Sequence, residues 1–374
     1  MIQLRHFCLT LIPFIFFAIA ACAPSEPIRI GFIGDLSGRG NDLGIAGLNG
    51  VRLAVAFQNK AGGINGRQII LFEADDRQDP KTAQQAIKRL IDRKVEAIVG
   101  PMTSTIAVAT VPLVNEAKLL MVSPTVTTNA LSHADDYFFR VLPSTQTFVS
   151  SHVEYLLNTR GLKRVRFIYD EGNRAYAESW IQDFSNQFSA AGGQPLPPIG
   201  FSLRDEHEMQ KQAEAALRDA PDVIYLLTNS VDAAVLCRII RQLNPSILLG
   251  TSEWAATERL TQLGGASVEG LISAQFHDRL NKSPAYVAFR QAYIKRFHQE
   301  PGFAGAFAFD AANVILETLK DVRPGESVKR ALLSRRTFNG VQNAIIFDAY
   351  GDSQGRTFMT RVKSGAFVPI STAP

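Results

Sequence analysis

The stretch from Glu96 to Asn129, EAIVGPMTSTIAVATVPLVNEAKLLMVSPTVTTN, decides how this chain reads. Two short apolar runs, 97–99 and 119–122, each end in a small, hydroxyl-rich loop, residues 101–105 and 123–128. The first loop opens into a helical pattern with Ile106, Val108, Val111 and Leu113 among small residues and no proline before Pro112. In an open parallel sheet, loops at the carboxyl ends of strands line the ligand crevice. A helix N-terminus with free amides beside a Ser or Thr suits a carboxylate. Ser104 in the first loop, and Thr125 and Thr127 in the second, are therefore candidates for gripping a small carboxylate-bearing molecule. The same hydroxyls also serve as helix caps and turn formers. It is the succession of two such loops that favours a ligand.

Working outward, the strand–helix alternation continues in both directions. Upstream, a glycine-flanked apolar strand at 28–34 leads through a loop at 35–43 to a helix at 44–58 with Leu48, Val51, Ala54 and Val55 on one face. Ala-Gly-Gly-Ile-Asn-Gly at 61–66 is a turn, 69–74 a strand, and 82–92 a helix. Downstream the pattern restarts after residue 143. Strands are expected at 165–169, 223–227, 247–250 and 270–274, and helices at 175–191, 232–243, 286–297 and 304–319. The tail, from Phe338 through Ile345 and Gly351 to 356–362, reads as strands joined by a Gly-rich turn. Such alternation is the pattern of a doubly wound parallel sheet.

At 374 residues the chain can hold two lobes, each with its own core. It is 46% hydrophobic and 20% charged, and a formal net charge of +4 spread along the chain leaves no nucleic-acid footprint. Residues 1–21 read as a signal peptide: Arg5 precedes an apolar run that is too short, and too interrupted by Pro13, to span a membrane comfortably. Ile19-Ala20-Ala21-Cys22 resembles a bacterial lipobox, which would make Cys22 a lipidated mature N-terminus and residues 22–27 a tether. Ordinary cleavage with Cys22 incidental is the other reading. Cys8 falls in the signal, so Cys237 is left without an intramolecular disulfide partner and reads as a buried small hydrophobe.

One ordered series carries a family resemblance: Ile30-Gly31, Leu36-Ser37-Gly38, Asn49-Gly50, the turn at 61–66, Asp75-Asp76, Asp79-Pro80, Val99-Gly100-Pro101 and Ser123-Pro124. In order and spacing these look like the leucine/isoleucine/valine-type periplasmic solute-binding proteins of ABC transporters, over about residues 28–370. The resemblance implies an α/β fold of two doubly wound parallel-sheet lobes joined by a multi-strand hinge. One lobe would hold 28–143 plus 276–345, the other 144–275 plus 346–374. It implies a monomeric extracytoplasmic receptor that captures an amino acid, closes by hinge motion and delivers the ligand to a membrane-embedded ABC permease. A sensory lipoprotein of the same fold, with no transport role, is the alternative. Ala23 lacks the aspartate-type inner-membrane retention signal, which favours the outer membrane in a cell that has two.

Carried over residue by residue, the family's carboxylate-binding serine falls on Ser104. Its second binding loop falls on Thr125, through the backbone carbonyl, and Thr127, through the hydroxyl. The acidic residue that holds the ammonium falls on Glu253, which could otherwise be in a surface salt bridge, and an aromatic of the second lobe falls on Tyr176. Trp254 is either core or a wall for an apolar side chain. Three positions depart from the pattern. Leu43 and Thr103 replace an aromatic and a cysteine, and Asn229 or Ser230 stands where another aromatic is common. These departures bear on the ligand's side chain more than on recognition of a carboxylate.

Catalytic constellations are few. Gly-Asp-Ser-Gln-Gly at 351–355 matches a nucleophile elbow by letters, but the following segment reads as a strand where a helix is required. His207-Glu208 lacks the second histidine of a zincin, because Lys211 stands in its place. The histidines are scattered, so no metal set is expected, and neither a dinucleotide fingerprint in register nor a Walker A sequence occurs. Asp75 and Asp76, at a strand end beside a helix start, read as structural acceptors. The expectation is a binding protein without cofactor, metal or catalytic residues.

Overall fold

The computed structural model describes residues 26–202 and 205–370. The signal peptide and the lipidation site at Cys22 lie outside the described residues. In chain order the first unit runs β1 (Ile28–Gly34), α1 (Asp42–Lys60), β2 (Ile69–Asp75), α2 (Pro80–Asp92), β3 (Ala97–Val99), α3 (Ser104–Glu116), β4 (Leu120–Ser123) and β5 (Phe138–Arg140). Its sheet is parallel throughout, in the order β2-β1-β3-β4-β5. That order reverses between β1 and β3, so the loops leaving these two strands flank the crevice in which open α/β sheets bind ligands.

The second unit repeats the plan with α4 (Thr145–Glu154), β6 (Arg164–Asp170), α5 (Arg174–Ala190), β7 (Gln194–Pro195), β8 (Ile199–Phe201), α6 (Glu206–Ala216), β9 (Val223–Leu227), α7 (Ser230–Leu243), β10 (Leu248–Thr251), α8 (Glu258–Gly264) and β11 (Ile272–Gln275). The chain then returns to the first unit with α9 (Pro284–Phe297), α10 (Gly302–Asp321), α11 (Val328–Arg335) and a hairpin of β12 (Thr337–Asn339) and β13 (Ala344–Ile346). It ends in the second unit with β14 (Phe358–Lys363) and β15 (Ala366–Pro369). The second sheet runs β15-β14-β11-β10-β9-β6-β7, and β8 also pairs with β6.

This second sheet is not parallel to its edge. β14 and β15 form an antiparallel hairpin on β11, turning at Ser364 and Gly365, which both have positive φ. A two-residue turn permits only antiparallel return, whereas parallel neighbours need a crossover of about a dozen residues or more.

Sequence chemistry accounts for the element boundaries. Asp79 caps α2 through the Thr82 amide, and Pro80 occupies its first turn. α10 is the central buried helix of the first unit, packed on α1. Among the described residues it alone is long and apolar enough to cross a membrane, and its burial makes it a core helix. Gly50 permits the packing on α1, since a Cβ there would fall 2.2 Å from the Gly305 carbonyl oxygen. In the second unit an aromatic cluster of Phe167, Trp180, Phe184, Phe188 and Tyr225 surrounds buried His152. His152 Nε2 accepts the Ala274 amide at 3.0 Å, and Nδ1 lies 2.8 Å from the Tyr225 hydroxyl. Accepting at Nε2 leaves the proton on Nδ1. Burial pushes this imidazole down to about 3, so it is neutral.

Three connections link the units. The last stays with the first unit longer than the strand pattern suggests. Phe347 packs edge-on against Phe139, and the Arg140 guanidinium pairs with Asp352 at 2.7 Å. Thr357 is the first residue of this segment bonded to α4, through Ser151. The Gly-Asp-Ser-Gln-Gly segment lies within this connection. Ser353 is buried in a bridge to Phe347, and a strand rather than a helix follows.

Candidate functional site

Loops at the carboxyl ends of both sheets face one another. From the first sheet come residues 35–41 after β1, residues 100–103 after β3 and residues 124–128 after β4. From the second come residues 171–173 after β6, Thr228 and Asn229 after β9, and residues 252–257 after β10. Between them lies a narrow cavity with about 10 Å³ of free space, room for about one water. This is far below the roughly 300–1,000 Å³ of sites for drug-sized ligands, so a solute would need the lobes to part further.

The first sheet contributes the α3 N-terminus. Thr103 has extended backbone and Ser104 begins the helix, so Ser104 meets the cavity at the helix N-terminus. Ser104 is buried as a residue and lines the cavity. The neighbouring Thr105 amide is taken by Asn173 Oδ1 of the opposite lobe at 3.0 Å. Thr125 lines the cavity, but its hydroxyl donates to the Met102 carbonyl at 2.6 Å and ties the two loops together.

The second sheet contributes Glu253 and Tyr176. Glu253 sits in a short helical turn after β10 and is 6% exposed, which removes the surface salt bridge as an account of it. Burial pushes its carboxyl up from 4.5 to about 7, against the opposing pull of its own amide, Tyr176, Thr127 and Trp180. Glu253 Oε2 and the Tyr176 hydroxyl make no well-aligned hydrogen bond, although Tyr176 and Trp180 stand near enough to act on the carboxyl. Burial and Glu253 hold the Tyr176 phenol well above its usual range.

Four of the residues expected from sequence, Ser104, Thr125, Tyr176 and Glu253, line this one cavity. Thr127 stands behind it, its hydroxyl donating to Glu253 Oε1 at 3.3 Å. Asn229 does not line it. Its side chain accepts the Val231 and Asp232 amides and caps α7, a use to which Asn is suited at any helix start. Leu43, Met102, Trp254 and Phe303 supply apolar walls, and Asn173 supplies a polar one. Met102 and Asn173 were signalled only by lying in strand-end loops. Phe303 carried no local signal, because it reaches the cleft from the first turn of α10. It also borders an outer cavity of about 320 Å³, open to solvent and walled by Asp42, Thr257 and Glu258 among others.

Asp75 and Asp76 act as structural acceptors. Asp75 accepts from the Leu36 amide at 2.9 Å and the Ser37 hydroxyl at 2.6 Å, bracing the loop after β1. Asp76 accepts from the Gln78 amide, and burial pushes it up to about 7. Cys237 is buried, and burial raises its thiol to about 12, which makes it inert.

Comparison with known proteins agrees with this geometry. A family model described as periplasmic binding protein matches residues 27–366. A Leu/Ile/Val-binding protein homologue from Brucella melitensis is 24% identical over 342 residues, covering 90% of this chain and 92% of that protein. The leucine-specific-binding protein of Salmonella typhimurium is 25% identical over 320 residues, covering 82% and 85%. A crystallographic leucine-binding protein from Thermotoga maritima superposes with a TM-score of 0.83 at 24% identity, covering 92% of this chain and 98% of that one. A solute-binding protein from R. palustris, solved with benzoate, reaches 0.81 at 19% identity, covering 92% and 95%. The match along nearly the whole chain and the two facing sheets lead to one conclusion: the chain belongs to the periplasmic binding protein family, and it is an extracytoplasmic solute-binding protein rather than an enzyme.

Proposed function

We propose that this protein captures a small amino acid with an apolar side chain between its lobes and delivers it to a membrane-embedded ABC permease. Glu253 carries the reading: it is a buried carboxylate at a cavity wall, and one of its oxygens makes no well-aligned hydrogen bond. An ionised carboxylate out of water is costly unless paired, and a ligand ammonium at Oε2 would offset that cost with a charge-assisted bond. Across the cavity, Ser104 and the α3 N-terminus suit the ligand carboxylate. Leu43, Met102, Trp254 and Phe303 suit an aliphatic side chain. The names of the Brucella and Salmonella relatives agree with this ligand class.

In this reading residues 1–21 are a signal peptide, Cys22 carries the lipid, and 22–27 form the tether of a monomer. The lobes are 28–143 plus 276–345 and 144–275 plus 346–374, closing about the three connections. The contacts of Phe347 and Asp352 favour a mechanical end to the third connection nearer residue 353.

The test is calorimetry on a soluble chain beginning at Ser25, stripped of carried-over solute by unfolding and refolding. Leucine, isoleucine, valine, alanine, glutamate and benzoate form the panel. Micromolar or tighter binding of an apolar amino acid is expected. Silence for all the amino acids from a folded protein would overturn the ligand class, and benzoate alone would replace it with ammonium-free carboxylates.

A further inference from the structure

The loop after β1 reaches across the cleft, and its tip bonds to the opposite lobe without entering the ligand cavity. Asp42, in the first turn of α1, accepts with Oδ2 from the Ser230 hydroxyl at 2.8 Å and the Thr257 hydroxyl at 2.7 Å. Ser230 is the first residue of α7, and Thr257 immediately precedes α8. Beside them, the Arg39 guanidinium lies 3.1 Å from Asp232 Oδ1, and Asn229 Nδ2 donates to the other oxygen of that carboxylate at 2.7 Å. Gly40 makes the approach possible, because a Cβ there would fall 3.1 Å from Asn229 Cβ.

The arm that carries these groups is braced on its own lobe. Asp75 holds Leu36 and Ser37, and Asp35 accepts the Gly38 amide at 2.7 Å. Asn41 Nδ2 closes the loop on the Leu36 carbonyl. The tip is thus fixed relative to the first sheet and moves only with that lobe. Asp42, Ser230 and Thr257 are absent from the walls of the inner cavity, whereas Leu43, one residue further on, is one of them. Asp42 and Thr257 instead line the outer cavity at the cleft mouth.

We propose that Asp42 is the latch of lobe closure: a positioning residue that sets how long the closed form lasts, acting on ligand release without touching the ligand. This rests on the ligand-capture reading above. Opening the cleft separates one carboxylate from two hydroxyl donors at once and returns all three groups to water. Hydrogen bonds to a charged acceptor keep a net value larger than neutral ones, and two on one oxygen, held by a pre-formed arm, are lost together. A ligand enclosed by both lobes leaves only when they part. The latch therefore appears in the dissociation rate, where most affinity differences among related complexes arise.

The experiment compares the wild-type soluble chain with Asp42→Ala, with Ser230→Ala/Thr257→Ala and with the triple variant. It uses stopped-flow release of leucine and small-angle scattering of the ligand-free protein. Asp42→Ala should release leucine roughly ten- to a hundredfold faster, with association changed less than about threefold. Ser230→Ala/Thr257→Ala, on the opposite lobe, should do the same, and the triple variant should be no faster than either, because all three remove one interaction. Additive effects, or a slowed association with unchanged release, would mean that Asp42 merely supports the start of α1, and would overturn the latch. Should no amino acid bind, the capture reading fails by itself and scattering decides the latch. A more extended ligand-free Asp42→Ala protein would support it, and dimensions identical to wild type would overturn it.

Discussion

The Thr127 hydroxyl lies 3.3 Å from Glu253 Oε1, although 126 residues separate them in the chain. Thr127 follows β4 of one sheet and Glu253 follows β10 of the other, so this contact is a seam between the lobes. It occupies one carboxylate oxygen, while the second makes no well-aligned hydrogen bond and has the Tyr176 hydroxyl and the Trp180 indole as its polar neighbours. The chemistry of the cleft follows from that asymmetry.

Glu253→Gln should abolish amino-acid binding and yet stabilise the ligand-free protein at pH 8. Below 4.5 the carboxyl is protonated whether the chain is folded or unfolded. Above about 7 it is charged in both, and the folded form carries the cost of burying that charge. Stability of the ligand-free wild type is therefore lost as pH rises from 4.5 to about 7. The displacement is worth about 3 kcal/mol at about 1.4 kcal/mol per pH unit. Urea denaturation of both proteins at pH 5 and pH 8 checks it. Glutamine should gain at pH 8 only.

Leucine affinity should fall in acid. An ammonium binds the ionised carboxylate, and with Glu253 titrating at about 7 the competent fraction at pH 6 is roughly a tenth of that at pH 8. Calorimetry at the two values should give affinities differing about tenfold, with proton release on binding near pH 6. In Glu253→Gln any residual binding should be flat across the range.

Ser104→Ala and Thr127→Ala should each weaken binding by roughly 1–3 kcal/mol, the cost of leaving a buried polar group without its partner. The two differ in mechanism. Ser104 lines the cavity at the start of α3, so its loss falls on the ligand carboxylate. Thr127 also donates to Glu253, so its removal should raise the carboxyl further and move the acid limb of binding to higher pH. Unchanged affinity in both variants would remove the proposed carboxylate site.

Phe303→Ala should relax size discrimination. The residue lines both the inner cavity of about 10 Å³ and the outer one of about 320 Å³. Leucine should bind about tenfold more weakly for want of apolar contact, at 1–3 kcal/mol per lost pocket contact. Phenylalanine and methionine should lose less, or gain. Competition calorimetry with all three ligands reads the order directly.

His152→Ala should cost about 3–5 kcal/mol, read as a fall in Tm, because it leaves the Ala274 amide and the Tyr225 hydroxyl unpaired and opens a cavity among Trp180 and Tyr225. Its titration has the opposite sense to that of Glu253. The unfolded imidazole takes up a proton near 6.5 and the folded one only near 3, so the stability present above 6.5 is lost as pH falls toward 3. Replacement by alanine should remove that limb of the acid denaturation profile.

The alternation of strand and helix, and the hydroxyl-rich loops after β3 and β4, were set by the sequence alone. Residues 97–99 and 223–227 form strands as their apolar runs imply, and the helix beginning at Ser104 follows its extended neighbour Thr103. Such features depend on neighbours within a few positions, through periodicity, caps and turns. Which of those loop residues share a cavity was decided by tertiary structure. Asn229 is spent on capping α7, Thr125 ties its loop to Met102, and Phe303 arrives from an element with no local mark of a site. The charge state of Glu253 is likewise set by burial between two sheets. Burial and pairing across more than a hundred residues are properties of packing, and no local pattern encodes them.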